Sequence, residues 1–155
     1  MASTIRRDGT VKKSGSAHGG GGVRYGVYAR GGFECVFCGA YRVVFSLEHV
    51  TCQSHGGSDT AGNYAVSCYS CNSARKNRTD AKFFAELEAK GVDTMGISTR
   101  IAAQIAGKAD LKLGRKLEIV AKAARARSKR AGGTEMQGNL AASRAARKAW
   151  LAAKK

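Results

Sequence analysis

The chain has 155 residues, enough for one domain of ordinary size, and its 27 lysines and arginines outnumber 11 acidic residues to give a formal net charge of +16. This excess predicts a polyanionic partner, with nucleic acid as the first candidate. No apolar run approaches the ~18 residues of a bilayer span and the N-terminus lacks the apolar core of a signal peptide, so we expect a cytoplasmic protein without a membrane partner.

Three segments differ in composition and charge. Residues 1–22 are polar, basic and finally glycine-rich, which predicts a flexible arm. Residues 23–90 contain the aromatic and cysteine residues of a compact domain, and the part from 35 to 90 carries a net charge of only +1. Residues 91–155 carry +11 and are predicted to form a basic helical extension that binds nucleic acid.

The cysteine-rich segment is predicted to form two strands followed by a helix. Aromatic and β-branched residues predict a strand from Tyr41 to Ser46 that ends near Glu48, and a second strand from Tyr64 to Val66. The sequence Gly-Gly-Ser-Asp at 56–59 requires a loop between them. With a helix from about Asn72, the fold class is α+β: a small ββα nucleus with a mostly helical, basic C-terminal extension.

Helical periodicity continues beyond this nucleus. Thr79 or Asp80 can begin a helix, and Gly91 can end it. The apolar residues at helical spacing between them, which we expect in the core, are Phe83, Phe84 and Leu87.

The next predicted helix has an apolar side and a basic side. The apolar stripe consists of Leu113, Leu117, Val120 and Ala124. The opposite side carries Arg115, Lys122, Arg125 and Lys129. Since residues 119–134 contain five basic and no acidic side chains, contact with phosphate explains this side better than solvation alone. Gly132-Gly133 breaks the pattern, and an alanine-rich basic helix follows from Asn139 to Lys155, with Trp150 as its large anchor.

Four of the five cysteines have the spacing of a structural zinc site. They occur as two Cys-x-x-Cys pairs, Cys35 with Cys38 and Cys68 with Cys71. In a reducing compartment such pairs indicate metal thiolates rather than disulfides. Four thiolates complete the tetrahedral shell of Zn²⁺ and leave no position for a substrate, so this zinc is expected to stabilise the fold and not to catalyse.

The motifs between and around these pairs resemble the HNH (ββα-metal) endonuclease family, in the branch that carries paired zinc-binding cysteines. The resemblance covers residues 35 to about 78. Its motifs are Cys35-Val36-Phe37-Cys38-Gly39, Glu48-His49-Val50, Gly56-Gly57, Asn63 and Cys68-Tyr69-Ser70-Cys71-Asn72, followed by Arg75 or Lys76.

The resemblance implies a role for each motif residue. His49 is the implied general base, since imidazole titrates near neutral pH, and Asn63 would orient it through a backbone or side-chain hydrogen bond. Glu48 and Asn72 would hold one divalent cation on the scissile phosphate. Their oxygen atoms suit Mg²⁺ or Mn²⁺.

The residues that follow Asn72, and two others near His49, are less specific. Arg75 or Lys76, one turn into the same helix as Asn72, could contact phosphate. Cys52 is expected to be a buried or half-buried thiol, with a ligand or reactive role as the alternative. His55 is expected to be a loop or phosphate-contacting residue, with metal ligation as the alternative.

We therefore predict a metal-dependent endonuclease that hydrolyses phosphodiester bonds in double-stranded DNA. One active site per chain means that double-strand cleavage would need a homodimer or two successive cuts. A zinc-ribbon nucleic-acid-binding protein without catalysis is the alternative, and a ribosome- or RNA-associated protein is a third hypothesis. The sequence does not distinguish homing, restriction and phage enzymes.

Overall fold

The computed structural model describes Gly20 and residues 22–154. The predicted N-terminal arm lies outside these residues except for Gly20 and Gly22. The described part contains two strands and six helices, which confirms the α+β class. The strands are β1 (Phe45–His49) and β2 (Tyr64–Cys68), and the helices are α1 (Val23–Arg30), α2 (Tyr69–Arg75), α3 (Asp80–Glu88), α4 (Thr94–Ala106), α5 (Leu111–Arg130) and α6 (Glu135–Ala152).

The predicted ββα unit is present as an antiparallel hairpin that leads directly into α2. The first strand begins at Phe45, later than the predicted Tyr41. Phe45 pairs with Cys68, the last residue of β2, so residues before Phe45 have no strand partner beyond one hydrogen bond from Tyr69 N to Val44 O at 2.9 Å. A strand needs such a partner to satisfy its backbone groups, which sets the boundary.

The start of α2 is fixed by a cysteine. Cys68 is its N-cap, and the Cys68 sulfur accepts a hydrogen bond from Cys71 N at 3.4 Å. The helix therefore begins at Tyr69, three residues before the predicted start at Asn72. The same capping brings the second Cys-x-x-Cys pair into the first helical turn.

One hydrophobic core joins the hairpin to the C-terminal helices. Tyr28 of α1 and Phe45 of β1 pack around Phe33, whose ring centroid lies 5.6 Å from that of Trp150 on α6. Leu117 of α5 belongs to the same cluster. Trp150 thus has the anchoring role that the sequence predicted.

A second core lies on the other side of the hairpin, under α3 and α4. Phe37 packs edge-to-face on Phe83 of α3 at a centroid distance of 5.4 Å, and Ile97 of α4 is fully buried beside them. Gln104 of α4 ties this core to the sheet, since its Oε1 accepts from Val66 N and its Nε2 donates to Glu34 O.

The helical predictions are largely confirmed. Thr79 caps α3, which ends at Glu88 just before Gly91, a glycine with a φ of 76°. On α5 the predicted apolar residues are buried or half-buried and the predicted basic residues are exposed. The last helix begins at Glu135 rather than Asn139 because Thr134 and Gln137 form a capping box. None of the described helices is long and apolar enough to cross a membrane.

Candidate functional site

Four cysteine sulfurs cluster where the loop after α1 meets the end of β2. The Sγ atoms of Cys35, Cys38, Cys68 and Cys71 all lie within 4.8 Å of one another. The first pair sits in a tight turn in which Gly39 has a φ of 71° and donates from its N to Cys35 O at 2.9 Å. The predicted cluster is confirmed as a group that could hold zinc.

The ionisation of these thiols fits a cation at the centre of the cluster. Burial raises the pKa of Cys35 to about 11, and burial followed by the charge of neighbouring cysteines raises the pKa of Cys71. In contrast, although burial opposes it, hydrogen bonds from the backbone of Ala40 and from the neighbouring cysteines lower the pKa of Cys38. A bound Zn²⁺ would supply the positive charge that stabilises four thiolates and would replace their protons.

Glu48 lies on β1 opposite Ala65 and its side chain is buried. One carboxylate oxygen, Oε1, is paired with Arg75. The other, Oε2, is buried and has no hydrogen-bond partner among the described residues. Burial raises the pKa of Glu48 to about 7, although the Arg75 guanidinium lowers it. A buried carboxylate oxygen without a donor is an atom to which a cation could bind.

Arg75 corrects one sequence prediction. It is 1% exposed, and its guanidinium also donates to His49 O at 2.8 Å, Val50 O at 3.0 Å and Asp80 Oδ1 at 2.6 Å. A guanidinium enclosed by these acceptors is not available to a DNA phosphate. Its neighbour Lys76 is exposed and remains the candidate for that contact.

Asn72 follows the zinc-cluster residue Cys71 in the first turns of α2. Its Nδ2 donates to Ser46 Oγ at 2.9 Å and to Leu47 O at 3.1 Å. Because a backbone carbonyl can only accept, the amide orientation is determined, and Oδ1 is the atom left for a further ligand. An asparagine oxygen and a carboxylate oxygen suit Mg²⁺ or Mn²⁺.

Glu48 and Asn72 line one small cavity together with His49. The cavity has a volume of about 110 Å³. Its other lining residues are Leu47, Cys52, Gln53, Lys76 and Asn77. We refer to it as the candidate-site cavity.

The imidazole of His49 is held by a residue that the sequence analysis identified only as part of a loop. Asp59 Oδ1 lies 2.8 Å from His49 Nε2 and also accepts from Tyr64 Oη at 2.7 Å and Gln53 Nε2 at 3.0 Å. The Tyr64 ring meets the imidazole edge-on at a centroid distance of 4.8 Å. The sequence did contain a signal for Asp59, because it is an acidic residue in the loop between His49 and the strand that pairs with it.

Asn63 holds the loop rather than the imidazole. Its side chain accepts from Thr51 N and donates to Thr51 O and Ser58 O, each at 2.9 Å, and its backbone oxygen accepts from Val50 N at 2.9 Å. The predicted direct orientation of His49 by Asn63 is therefore replaced by an indirect one. Asn63 joins the two ends of the loop, and the loop carries the carboxylate that contacts the ring.

Two further predictions concern the same loop. Cys52 is buried and its thiol contacts Arg78 O at 3.4 Å, as expected for a structural thiol. His55 is exposed, its Nδ1 lies 3.2 Å from Ser54 Oγ, and it is not part of the metal-capable cysteine cluster.

The basic side of α5 extends toward the candidate site through Arg125. Arg125 and Arg24 line a cavity of about 150 Å³ together with Tyr69 and Ser46. Ser46 is the hydroxyl that accepts from Asn72. Arg125 also lines a neighbouring cavity of about 320 Å³ with Lys129. Cationic side chains thus line a cavity with Ser46, the hydrogen-bond partner of Asn72, although the motif segment itself is nearly neutral.

Comparison with known families agrees with the resemblance. Residues 35–88 match a family model described as HNH endonuclease, which covers 54 of the 155 residues. No curated protein and no solved structure matches the chain. The predicted resemblance is confirmed for this segment, which contains both the cysteine cluster and the candidate-site cavity. An HNH endonuclease domain indicates a nuclease that acts on nucleic acid.

Proposed function

We propose that the protein is a divalent-metal-dependent endonuclease that hydrolyses phosphodiester bonds in double-stranded DNA. The observation that carries this proposal is the composition of the candidate-site cavity. It combines the unpartnered oxygen of Glu48, the carbonyl oxygen of Asn72 and the imidazole of His49 within one HNH-type ββα unit.

His49 would act as the general base. A carboxylate can only accept a hydrogen bond, so the contact with Asp59 places the proton on Nε2. The imidazole is the group that would take a proton from the attacking water. Asp59 then stabilises the positive charge that develops on the ring as the water attacks phosphorus.

Glu48 and Asn72 would hold Mg²⁺ or Mn²⁺ through Glu48 Oε2 and Asn72 Oδ1. The bound cation would neutralise charge on the phosphate and assist the leaving oxygen. Lys76, exposed at the edge of the same cavity, would contact the phosphate from the protein side. The cysteine cluster lies outside this cavity and would hold the structural Zn²⁺.

The direct test is incubation of supercoiled plasmid with the protein in Mg²⁺ or Mn²⁺, with a metal-free control. We expect cleavage, and we expect His49→Ala to lower its rate by roughly 10² to 10⁴-fold while duplex binding is retained, because only the proton acceptor is lost. His55→Ala is the matched control, since it removes an exposed imidazole that lies in the loop after β1 and does not line the candidate-site cavity.

Equal cleavage by His49→Ala and the parent protein would disprove the mechanism. Intact plasmid under every metal condition, together with retained duplex binding, would favour the non-catalytic zinc-containing binding protein instead. Each chain contributes one candidate site, so the ratio of nicked to linear product tests whether two chains act together.

A further inference from the structure

A second cavity lies away from the candidate site, between the residues that precede β1 and the C-terminal half of α6. It has a volume of about 730 Å³. Four of its lining residues are cationic: Arg42, Arg144, Arg147 and Lys148. We call it the Tyr41–α6 cavity, after the exposed tyrosine at its wall. None of its lining residues lines the candidate-site cavity.

The charges of this cavity are not compensated within the described part of the chain. None of its lining residues is acidic, and none of the four cations forms an ion pair with a described residue. Four like charges around one concave site create a positive potential that favours the binding of an anion.

The orientation of one cation shows that the cavity is built rather than a chance cluster of surface side chains. The guanidinium carbon of Arg147 lies 4.7 Å from the centroid of the Tyr41 ring, and that of Arg42 lies 5.6 Å from it. The Nε of Arg147 is buried and has no hydrogen-bond partner among the described residues. A buried donor without an acceptor is the atom that a bound oxyanion would satisfy.

The position of the cavity relates it to the candidate site. Asn139 and Ser143 of α6 line the cavity that contains Arg24, Arg125 and Ser46, next to Asn72. The Tyr41–α6 cavity begins at the following residue, Arg144. The α6 residues that line the Tyr41–α6 cavity therefore follow directly those that line the cavity next to Asn72.

We infer that the Tyr41–α6 cavity is a second phosphate-binding site, which holds a backbone phosphate of the DNA away from the cleaved bond. The identification of the ligand as DNA rests on the proposed function. The Tyr41 ring would hold Arg147 in place rather than stack on a base, because Arg147 already lies over it. Arg144 and Lys148, one helical turn apart, would contact adjacent oxygens of the strand.

The test measures duplex binding as a function of salt, with the full-length, zinc-loaded protein carrying His49→Ala so that the DNA stays intact. Each phosphate contact contributes about 0.9 to the slope of log K against log salt concentration. The double change Arg144→Gln with Arg147→Gln should therefore reduce the slope by about 1 and weaken binding at low salt. Lys90→Gln with Lys108→Gln is the control, because it removes the same charge from exposed positions that line neither cavity.

A second measurement locates the contact without changing several side chains at once. Duplexes with a single neutral methylphosphonate linkage are compared at successive positions around the cut. Binding by the protein with an intact cavity should weaken when the neutral linkage lies at one position away from the cut, and the Arg144/Arg147 variant should lose this sensitivity. Tyr41→Phe should keep it, whereas Tyr41→Leu, which lacks the ring, should reduce it.

The outcomes separate this inference from the proposed function. If the protein cleaves plasmid but the cavity variant keeps the salt slope of the control pair, the second phosphate site is disproved and the nuclease remains. If the protein with an intact cavity and the Arg144/Arg147 variant respond equally to the neutral linkage at every position, the site is also disproved. A protein that neither binds nor cleaves duplex DNA would overturn the proposed function and this site together.

Discussion

Asp59 is the residue on which the chemistry of His49 depends most directly. We expect Asp59→Asn to lower the cleavage rate by roughly 10² to 10⁴-fold, because an amide can donate to Nε2 and so favour the wrong tautomer of the base. The KM for DNA should change little, since Asp59 lies behind the imidazole. Rates and KM measured on a duplex oligonucleotide check this, and Asp59→Glu, which keeps the acceptor, should recover part of the rate. Parent-like cleavage by Asp59→Asn would show that the contact is not used.

Arg75 is expected to matter for stability. Arg75→Met would leave Glu48 buried without its partner, which costs about 3–5 kcal/mol when one member of a buried ion pair is removed. Lys122→Met, which breaks an exposed pair with Glu118 on α5, is the control and should cost no more than about 0.5 kcal/mol. Urea unfolding measures both. Equal free energies of unfolding for the two variants would contradict the structural role of Arg75.

The sequence predicted the side chains that carry the chemistry, because their type and spacing are informative. It did not predict the hydrogen-bond and ion-pair partners of those side chains. The cysteines, Glu48, His49 and Asn72 could be identified because metal ligands and a general base need particular residue types in order along the chain. The partners of His49 and Glu48 depend on how the loop and α2 return to the hairpin, which spacing does not determine. For that reason Asp59 was missed and Arg75 was assigned to phosphate, although it lies buried against Glu48.

The N-cap and the first turn of α2 contain two of the four clustered cysteines, so we expect this helix to be stabilised by a bound zinc ion. We predict one Zn²⁺ per chain, and we predict that Cys71→Ser loses it together with part of the helical circular dichroism signal. Cleavage should fall even with excess Mg²⁺, because Asn72 is the next residue of that helix. Metal analysis and circular dichroism test this. Cys52→Ser removes a buried thiol outside the cluster and should keep the zinc. Loss of zinc from the Cys52→Ser variant would contradict the assignment of zinc to the four clustered cysteines.

Element boundaries were less predictable than the elements themselves. The β1 boundary depends on where β2 ends, which is a property of the pair and not of the residues from Tyr41 to Val44. In contrast, the start of α6 had a local signal, Thr134 followed by Gln137, and could have been predicted from the capping box. α4 was not predicted, and its contribution through Gln104 is visible only when the sheet is in place.

For the whole molecule, the main consequence of the fold is that the basic helices share a core with the HNH-type unit. We therefore expect the two regions to unfold in one transition. Trp150 is the single tryptophan and packs on Phe33, so its fluorescence reports on the helices, while zinc release reports on the cysteine cluster. Both signals should change at the same urea concentration, as in two-state unfolding.

Trp150→Ala should cost about 3–5 kcal/mol and lower the midpoint of zinc release as well. Leu151→Ala, at the adjacent and exposed position, is the control and should shift it little. Zinc release at an unchanged urea concentration in Trp150→Ala would show that the HNH-type unit is stable without the helices.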